Sequence, residues 1–296
     1  MLLCSRPVRS KGYRMKISIV TISFNQAQFL EEAILSVLNQ DYPDVEYIVV
    51  DPGSTDGSRK LIEGFRDRID HIVFEPDSGP SDGLNKGFAR ASGDIFGFLN
   101  ADDFLLPGAL DSLATGFKRL PLTDVISGHG WLVDVDGWPT QKKHSHRFSA
   151  WRYLHCGAYL LQQSTFFTAE AFQRSGGFNQ DNRTCWDGEL WLDMALAGCR
   201  FQHVNEYWSC FRTYEESISG QIALDPESSK AYQWDRNRMY RQATGRDPTG
   251  LGYRFHWSIA QALKLCTNPR IARDRLFSTA ASGFPNVHCN AEVGSQ

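Results

Sequence analysis

The 296-residue chain has no Cys-x-x-Cys pair; its seven cysteines (Cys4, Cys156, Cys185, Cys199, Cys210, Cys266 and Cys289) are odd in number and scattered. That excludes a disulfide framework and a thiolate zinc site, and fits reduced thiols in a cytoplasmic setting. An excess of positive charge is also missing: 31 Lys and Arg stand against 34 Asp and Glu, a net charge of -3. Nothing in that balance calls for nucleic acid. No apolar run approaches the roughly 18–20 residues that span a bilayer. The opening MLLCSRPVRSKGYR has basic residues but no apolar stretch of signal-peptide length. Because Met15 stands directly before KISIVTISFN, residues 1–14 are expected to be a disordered extension or to precede the natural start. What remains is ordinary globular composition, 42% hydrophobic and 22% charged, with no internal repeat.

Along the chain, short β-branched runs alternate with helical patterns. Strands are expected at 16–24, 45–51, 71–76 and 94–100. Helices are expected over 28–40, after the turn at 52–58, within 79–93 and over 106–120. This order implies an α/β fold with a mainly parallel sheet and right-handed crossovers. After residue 120 the pattern changes. A hairpin turning at Val135-Asp136-Gly137, a strand feeding a helix that stops at Gly176-Gly177, a helix over 186–201 and a strand over 202–214 follow.

In open parallel sheets the ligand lies beyond the carboxyl ends of the strands. Here those ends carry Asn25, Asp51, Glu75 and Asp77, and then Asn100, Asp102 and Asp103. Turn chemistry accounts for any one of them. All four together point to one polar rim. Asp102 and Asp103 repel each other unless a cation lies between them, so the pair reads as a grip on a divalent ion.

The stretches SIVTISFNQAQFLEEAILSVLNQDYPDVEYIVVDPGSTDGS, GDIFGFLNADD and WDGELWLDMALAG resemble family-2 glycosyltransferases of the GT-A fold, over about residues 16–215. The resemblance implies a Rossmann-like, mainly parallel sheet flanked by helices, with a nucleotide half at 15–120 and an acceptor half at 121–222. A helical C-terminal region at 223–283 and a disordered tail at 284–296 complete the expected organisation. Bacterial relatives of this flavour build capsule, exopolysaccharide or lipopolysaccharide glycans.

Residue by residue, the resemblance implies that Thr21, Ser23, Phe24, Asn25 and Asp51 hold the nucleotide's base and ribose. Many relatives carry a second Asp where this chain has Pro52, which removes both a carboxylate and a backbone donor. Asp82, Asn85 and Lys86 match the family's D-x-x-N-x-G helix start and are expected near the nucleotide and its phosphates. Asn100-Ala101-Asp102-Asp103 takes the place of the DxD motif, with Asn for the first Asp. Asp102 and Asp103 are then the metal residues for Mn²⁺ or Mg²⁺, hard ions that share their shell with substrate phosphates. Asp187, after Trp186 at a helix start, takes the place of the catalytic base, with Glu189 as runner-up and a mere helix cap as the plain alternative. Arg212 is a candidate for diphosphate contact; the His that relatives often carry two residues on is Tyr214 here. Gln163, Ser164 and Thr165 lie where relatives shape the cleft, while Trp131, Trp138 and Trp151 are sugar-stacking or core residues.

The expected activity is therefore metal-dependent, inverting transfer from a nucleoside-diphosphate sugar to a glycan or lipid-linked acceptor. A degenerate nucleotide-sugar-binding subunit is the non-enzymatic alternative. A nucleotidyltransferase is the other, and it lacks its Gly-rich basic loop in SFNQAQF. Aromatic residues mixed with Lys264, Arg270, Arg273 and Arg275 near the C-terminus offer either peripheral contact with anionic lipid or a packed helical appendage.

Overall fold

A computed structural model describes residues 14–267. Residues 1–13 of the expected extension, the tail at 284–296 and Arg270, Arg273 and Arg275 lie outside the described residues.

The first half alternates strand and helix: β1 (Ile17–Ile22), α1 (Ala27–Leu38), β2 (Val45–Val50), α2 (Ser58–Gly64), β3 (His71–Val73), α3 (Pro80–Phe88) and β4 (Ile95–Asn100). β1 pairs in parallel with β2 and β4, and β2 with β3. These strands are covered on both faces, which is why they read as continuous apolar runs. One face packs on Leu30, Ala33, Ile34 and Val37 of α1. The other packs Val20, Ile48 and Val50 against Leu84 and Phe88 of α3. Gly87 permits that contact, since a Cβ there would lie 2.4 Å from Val20 Cγ1.

The second half comprises β5 (Phe104–Leu105), α4 (Ala109–Arg119), β6 (Val125–Val133), β7 (Pro139–Lys143), α5 (Ala150–Leu154), β8 (Thr165–Thr168), α6 (Ala169–Ser175), α7 (Trp186–Leu196) and β9 (Phe201–Arg212). It extends the same sheet to the order β3-β2-β1-β4-β8-β6-β9-β5, with β7 beside β6. β8 runs antiparallel to β4 and β6, whereas β9 runs parallel to β6. The result is an α/β protein with a curled, mostly parallel central sheet between helices.

Some boundaries differ from the sequence reading. β3 ends at Val73 rather than 76, ahead of Pro76, which has no donor for a ladder. α4 starts at Ala109 rather than 106 because Leu105 still pairs with Ser209, and Gly108 breaks the chain at φ 74. α8 (Ile218–Leu224), α9 (Pro226–Thr244) and α10 (Gly250–Thr267) follow β9. Asp225 caps α9 by accepting from Ser228 N, and Gly245 ends it at φ 67. Met239 and Tyr240 of α9 pack with Tyr153, Leu154, Cys185 and Leu192, so α9 lies against α5 and α7.

Candidate active site

A cavity of about 1000 Å³ opens at the carboxyl ends of β1 and β4, where a parallel sheet places its ligand. Ser23, Phe24 and Asn25 line it from the end of β1, and Asn100 and Asp102 from the end of β4. Asp187 lines the same cavity from the first turn of α7.

At the β1 end the chain turns sharply: Asn25 adopts φ 52. Its N–H donates to Ser54 Oγ at 2.8 Å and its Oδ1 accepts from Thr55 N at 2.9 Å, tying this turn to the loop after β2. Phe24 is 60% exposed, which leaves a ring face for a planar partner. Ser23 Oγ is buried with no partner. Asp51 is fully buried off the cavity wall; its Oδ1 accepts from Gly53 N, Ser54 N and Arg59 Nε, while its Oδ2 has no partner. Thr21 is also buried behind the wall, accepting from Tyr47 Oη at 3.0 Å.

The adjacent carboxylates diverge. Asp102 faces the cavity and accepts from Tyr214 Oη at 2.9 Å, while Gln26 Nε2 donates to that same hydroxyl at 3.1 Å. Asp103 is 1% exposed and turned inward, where Gln163 Nε2 (2.5 Å) and Arg212 N (2.9 Å) donate to it. Burial and then the Asp102 charge push Asp103 well above the usual carboxylate range. Burial also raises Asp102, opposed by Tyr214. The metal role expected of both residues thus divides: Asp102 is the carboxylate at the wall, and Asp103 anchors β9.

Several expected donor contacts are corrected in the same way, because their polar groups are satisfied inside the protein. Arg212 is 2% exposed and off the wall; Nε donates to Asp102 O, Nη1 to Asp134 O and Val135 O, and Nη2 to Glu32. Lys86 Nζ donates to Pro76 O at 2.5 Å and to Asp82 at 3.0 Å. Asp82 also accepts from Ser78 N and Gln180 Nε2. Asn85 exchanges hydrogen bonds with the backbone of Phe178. Ala101 is buried, its N–H donating to Ile22 O. These groups shape the loops around the cavity and do not line it.

At the start of α7, burial raises the Asp187 pKa, opposed by the N–H groups of Gly188 and Asp187 and by the Arg236 charge. Cys185 is the N-cap of α7 and makes no side-chain cap, so Asp187 is a first-turn carboxylate. Glu189 is off the wall, held by Arg238 (2.7 and 2.8 Å), Asn182 (2.7 Å) and Asn179 (3.1 Å). The runner-up base is a structural anchor. Gln163 reaches the cavity, whereas Ser164 donates to His129 O and Thr165 to Leu161 O. Trp131 is core at 2% exposure; Trp138 and Trp151 are exposed away from the cavity.

The sequence reading did not single out Gln26, Tyr153, Tyr159, Arg183 or Tyr232, all of which line the cavity. Arg183 alone had a local signal, four residues before Asp187. The three tyrosines come from α5, the segment after it and α9, and no motif links them.

Among the described residues no three His, Cys, Asp or Glu side chains cluster as a metal site. A hard ion that takes most of its shell from phosphates and water needs fewer protein ligands. Asp102, with the buried and partnerless Oδ1 of Asn100 beside it, fits that kind of site.

The family model described as "Glycosyl transferase family 2" matches residues 18–176. The chain is 26% identical over 220 residues to the putative teichuronic acid biosynthesis glycosyltransferase TuaG of Bacillus subtilis, covering 70% of this chain and 83% of TuaG. With two other curated glycosyltransferases the identity is 37% and 38%, but the shared stretch spans only 38% and 33% of their lengths. S. aureus TarS 1-349 in complex with UDP matches with a TM-score of 0.61 at 16% identity, over 90% of this chain and 76% of that one. The mannosyltransferase PcManGT from Pyrobaculum calidifontis, in complex with GDP-Man and Mn²⁺, matches with a TM-score of 0.54 at 17% identity, over 90% and 89%. At such identities the structural matches speak to the fold, and they agree with the GT-A architecture that the resemblance implied. With a family model spanning more than half of its length, the chain belongs to glycosyl transferase family 2.

Proposed function

We propose that the protein moves a sugar, with inversion, from a nucleoside-diphosphate sugar to a hydroxyl of a glycan or lipid-linked acceptor in surface polysaccharide assembly. One observation carries the reading: a single cavity is lined by Asn100 and Asp102 from the end of β4 and by Asp187 from the first turn of α7. The name of TuaG supports a polysaccharide product, and the UDP and GDP-Man complexes of TarS and PcManGT support a nucleotide-sugar donor.

In this reading Phe24 offers its exposed ring to the base, and Ser23 and Asn25 lie beside the ribose. Asp102 and Asn100 Oδ1 would hold Mn²⁺ or Mg²⁺. The ion, when bound, accepts negative charge that develops on the leaving group. Asp187 takes the proton of the acceptor hydroxyl. The acceptor oxygen bonds to the anomeric carbon, and the bond from that carbon to the phosphate oxygen breaks with its electron pair left on the oxygen. Burial makes Asp187 a stronger base than a solvated aspartate, which suits proton removal. The alternative role as a catalytically degenerate subunit predicts donor binding without turnover.

Helix α10 supports a membrane-side acceptor. It has no acidic residue, carries Arg254 and Lys264, and exposes Leu251, Phe255 and Ile259. Incubation with UDP- and GDP-sugars, with and without Mn²⁺, tests the whole reading through release of UDP or GDP. Binding of every donor without release by wild type, in the presence of polyprenyl-linked or free glycan acceptors, would refute the enzymatic reading.

A further inference from the structure

The charged residues on the cavity wall are unbalanced. Asp77, Asp102, Asp187 and Glu216 are acidic, and Arg183 is the one Lys or Arg among the described lining residues. A diphosphate entering this cavity adds more negative charge, and unscreened repulsion there is large. The two cations that the motif reading favoured, Lys86 and Arg212, are satisfied by protein oxygens. A side-chain cation for the donor, beside any metal ion, must come from elsewhere on the lining.

The backbone around Arg183 is fixed on both sides. Asn182 Nδ2 donates to Glu189, and Asn182 Oδ1 accepts from Thr184 N and Cys185 N. Thr184 Oγ1 donates to Asp235 Oδ2 at 2.6 Å, and Ser81 Oγ donates to Asn182 O. Between these anchors the Arg183 guanidinium makes no hydrogen bond or ion pair among the described residues, although Asp77 feels its charge. It reaches across to the turn before α3, where Gly79 makes room: a Cβ there would lie 2.5 Å from Nη1. An exposed guanidinium fork with unused N–H donors, on the lining of an acidic cavity, is suited to phosphate oxygens.

We propose that Arg183 is a catalytic residue that binds the donor diphosphate and carries the protein's own positive charge to the leaving group. The assignment rests on the transferase reading of the same cavity. As the anomeric carbon leaves, the electron pair stays on the phosphate oxygen, and Arg183 donates hydrogen bonds to the phosphate without giving up a proton. The acceptor's proton goes to Asp187.

Calorimetric titration with UDP, GDP, uridine and guanosine, each with Mn²⁺, tests this. Loss of charge-assisted hydrogen bonds is expected to weaken the bound diphosphate by about 10- to 100-fold in Arg183→Gln. Affinity for the matching nucleoside stays unchanged, and turnover falls. Arg183→Lys keeps the charge without the fork and is expected to lie between the two. Unchanged diphosphate affinity and turnover in both variants would overturn the assignment. So would equal losses for nucleoside and diphosphate, which mark a merely structural role. Wild-type protein that binds neither diphosphate would refute the transferase reading itself, and Arg183 with it.

Discussion

Arg238→Met tests whether α9 holds the start of α7, where Asp187 lies. Arg238 grips Glu189 through two parallel hydrogen bonds, 2.7 and 2.8 Å, and touches Asp235 at 3.2 Å. Only 15% and 6% of the two side chains are exposed. Removing the arginine leaves Glu189 buried beside two asparagines, which offer dipoles in place of a full charge. Breaking such a pair costs about 3–5 kcal/mol. For a chain of this size that is a fall in Tm of roughly 6–20 °C. The Arg238 partnership is the largest influence holding Glu189 below its ordinary pKa against burial. A depressed carboxylate contributes stability above its unfolded pKa, and that contribution is lost as pH falls through the folded value. The gap between wild type and variant is therefore widest near neutral pH and narrows in acid. Thermal unfolding from pH 4 to 8 measures it. Glu189→Gln combined with Arg238→Met should recover most of the loss. A cost below about 1 kcal/mol, or a double variant no better than the single, would show that the pair is not the clamp described.

Asp187→Asn should lower turnover by about 10²- to 10⁴-fold with donor affinity intact, as measured by product release and titration. Because burial raises the Asp187 pKa, its ionised form costs stability as pH rises through the folded value; the Asn variant should show a higher Tm near neutrality, and that gain should vanish in acid. In wild type the acid limb of activity should fall at a higher pH than for a solvated aspartate. EDTA should abolish product release and added Mn²⁺ restore it; full activity in the chelator would remove the metal from the mechanism. Gly188→Ala would place a Cβ 1.9 Å from Tyr153 Oη, so the helix start or the ring must shift, at about 1–3 kcal/mol in unfolding and with a raised KM for acceptor.

Short elements show where local reading stops. α5 (Ala150–Leu154) and α8 (Ile218–Leu224) are too short to be stable alone. They exist because Tyr153 and Leu154 pack on α7 and α9, and because Ser217 caps α8 by accepting from Gly220 N. No periodicity in five or seven residues announces that.

The sequence by itself determined the alternation of strand and helix, the burial of β1, β2 and β4, and the gathering of polar residues at their carboxyl ends. Each of those is written in a contiguous window: apolar runs, turn residues and motif spacing. Tertiary structure alone decided which of two neighbouring aspartates faces the cavity. Pairing of Phe104 with Cys210 brings β9 beside the Asp pair, and Arg212 N then takes Asp103 inward. It also decided that Lys86 and Arg212 donate to protein oxygens while Arg183 donates to none of the described residues, and that tyrosines from α5 and α9 line the cavity. The physical reason is that a polar side chain can take a ligand only with hydrogen-bonding capacity left over, and the partners that use up that capacity lie far along the chain, as Glu32 lies 180 residues from Arg212.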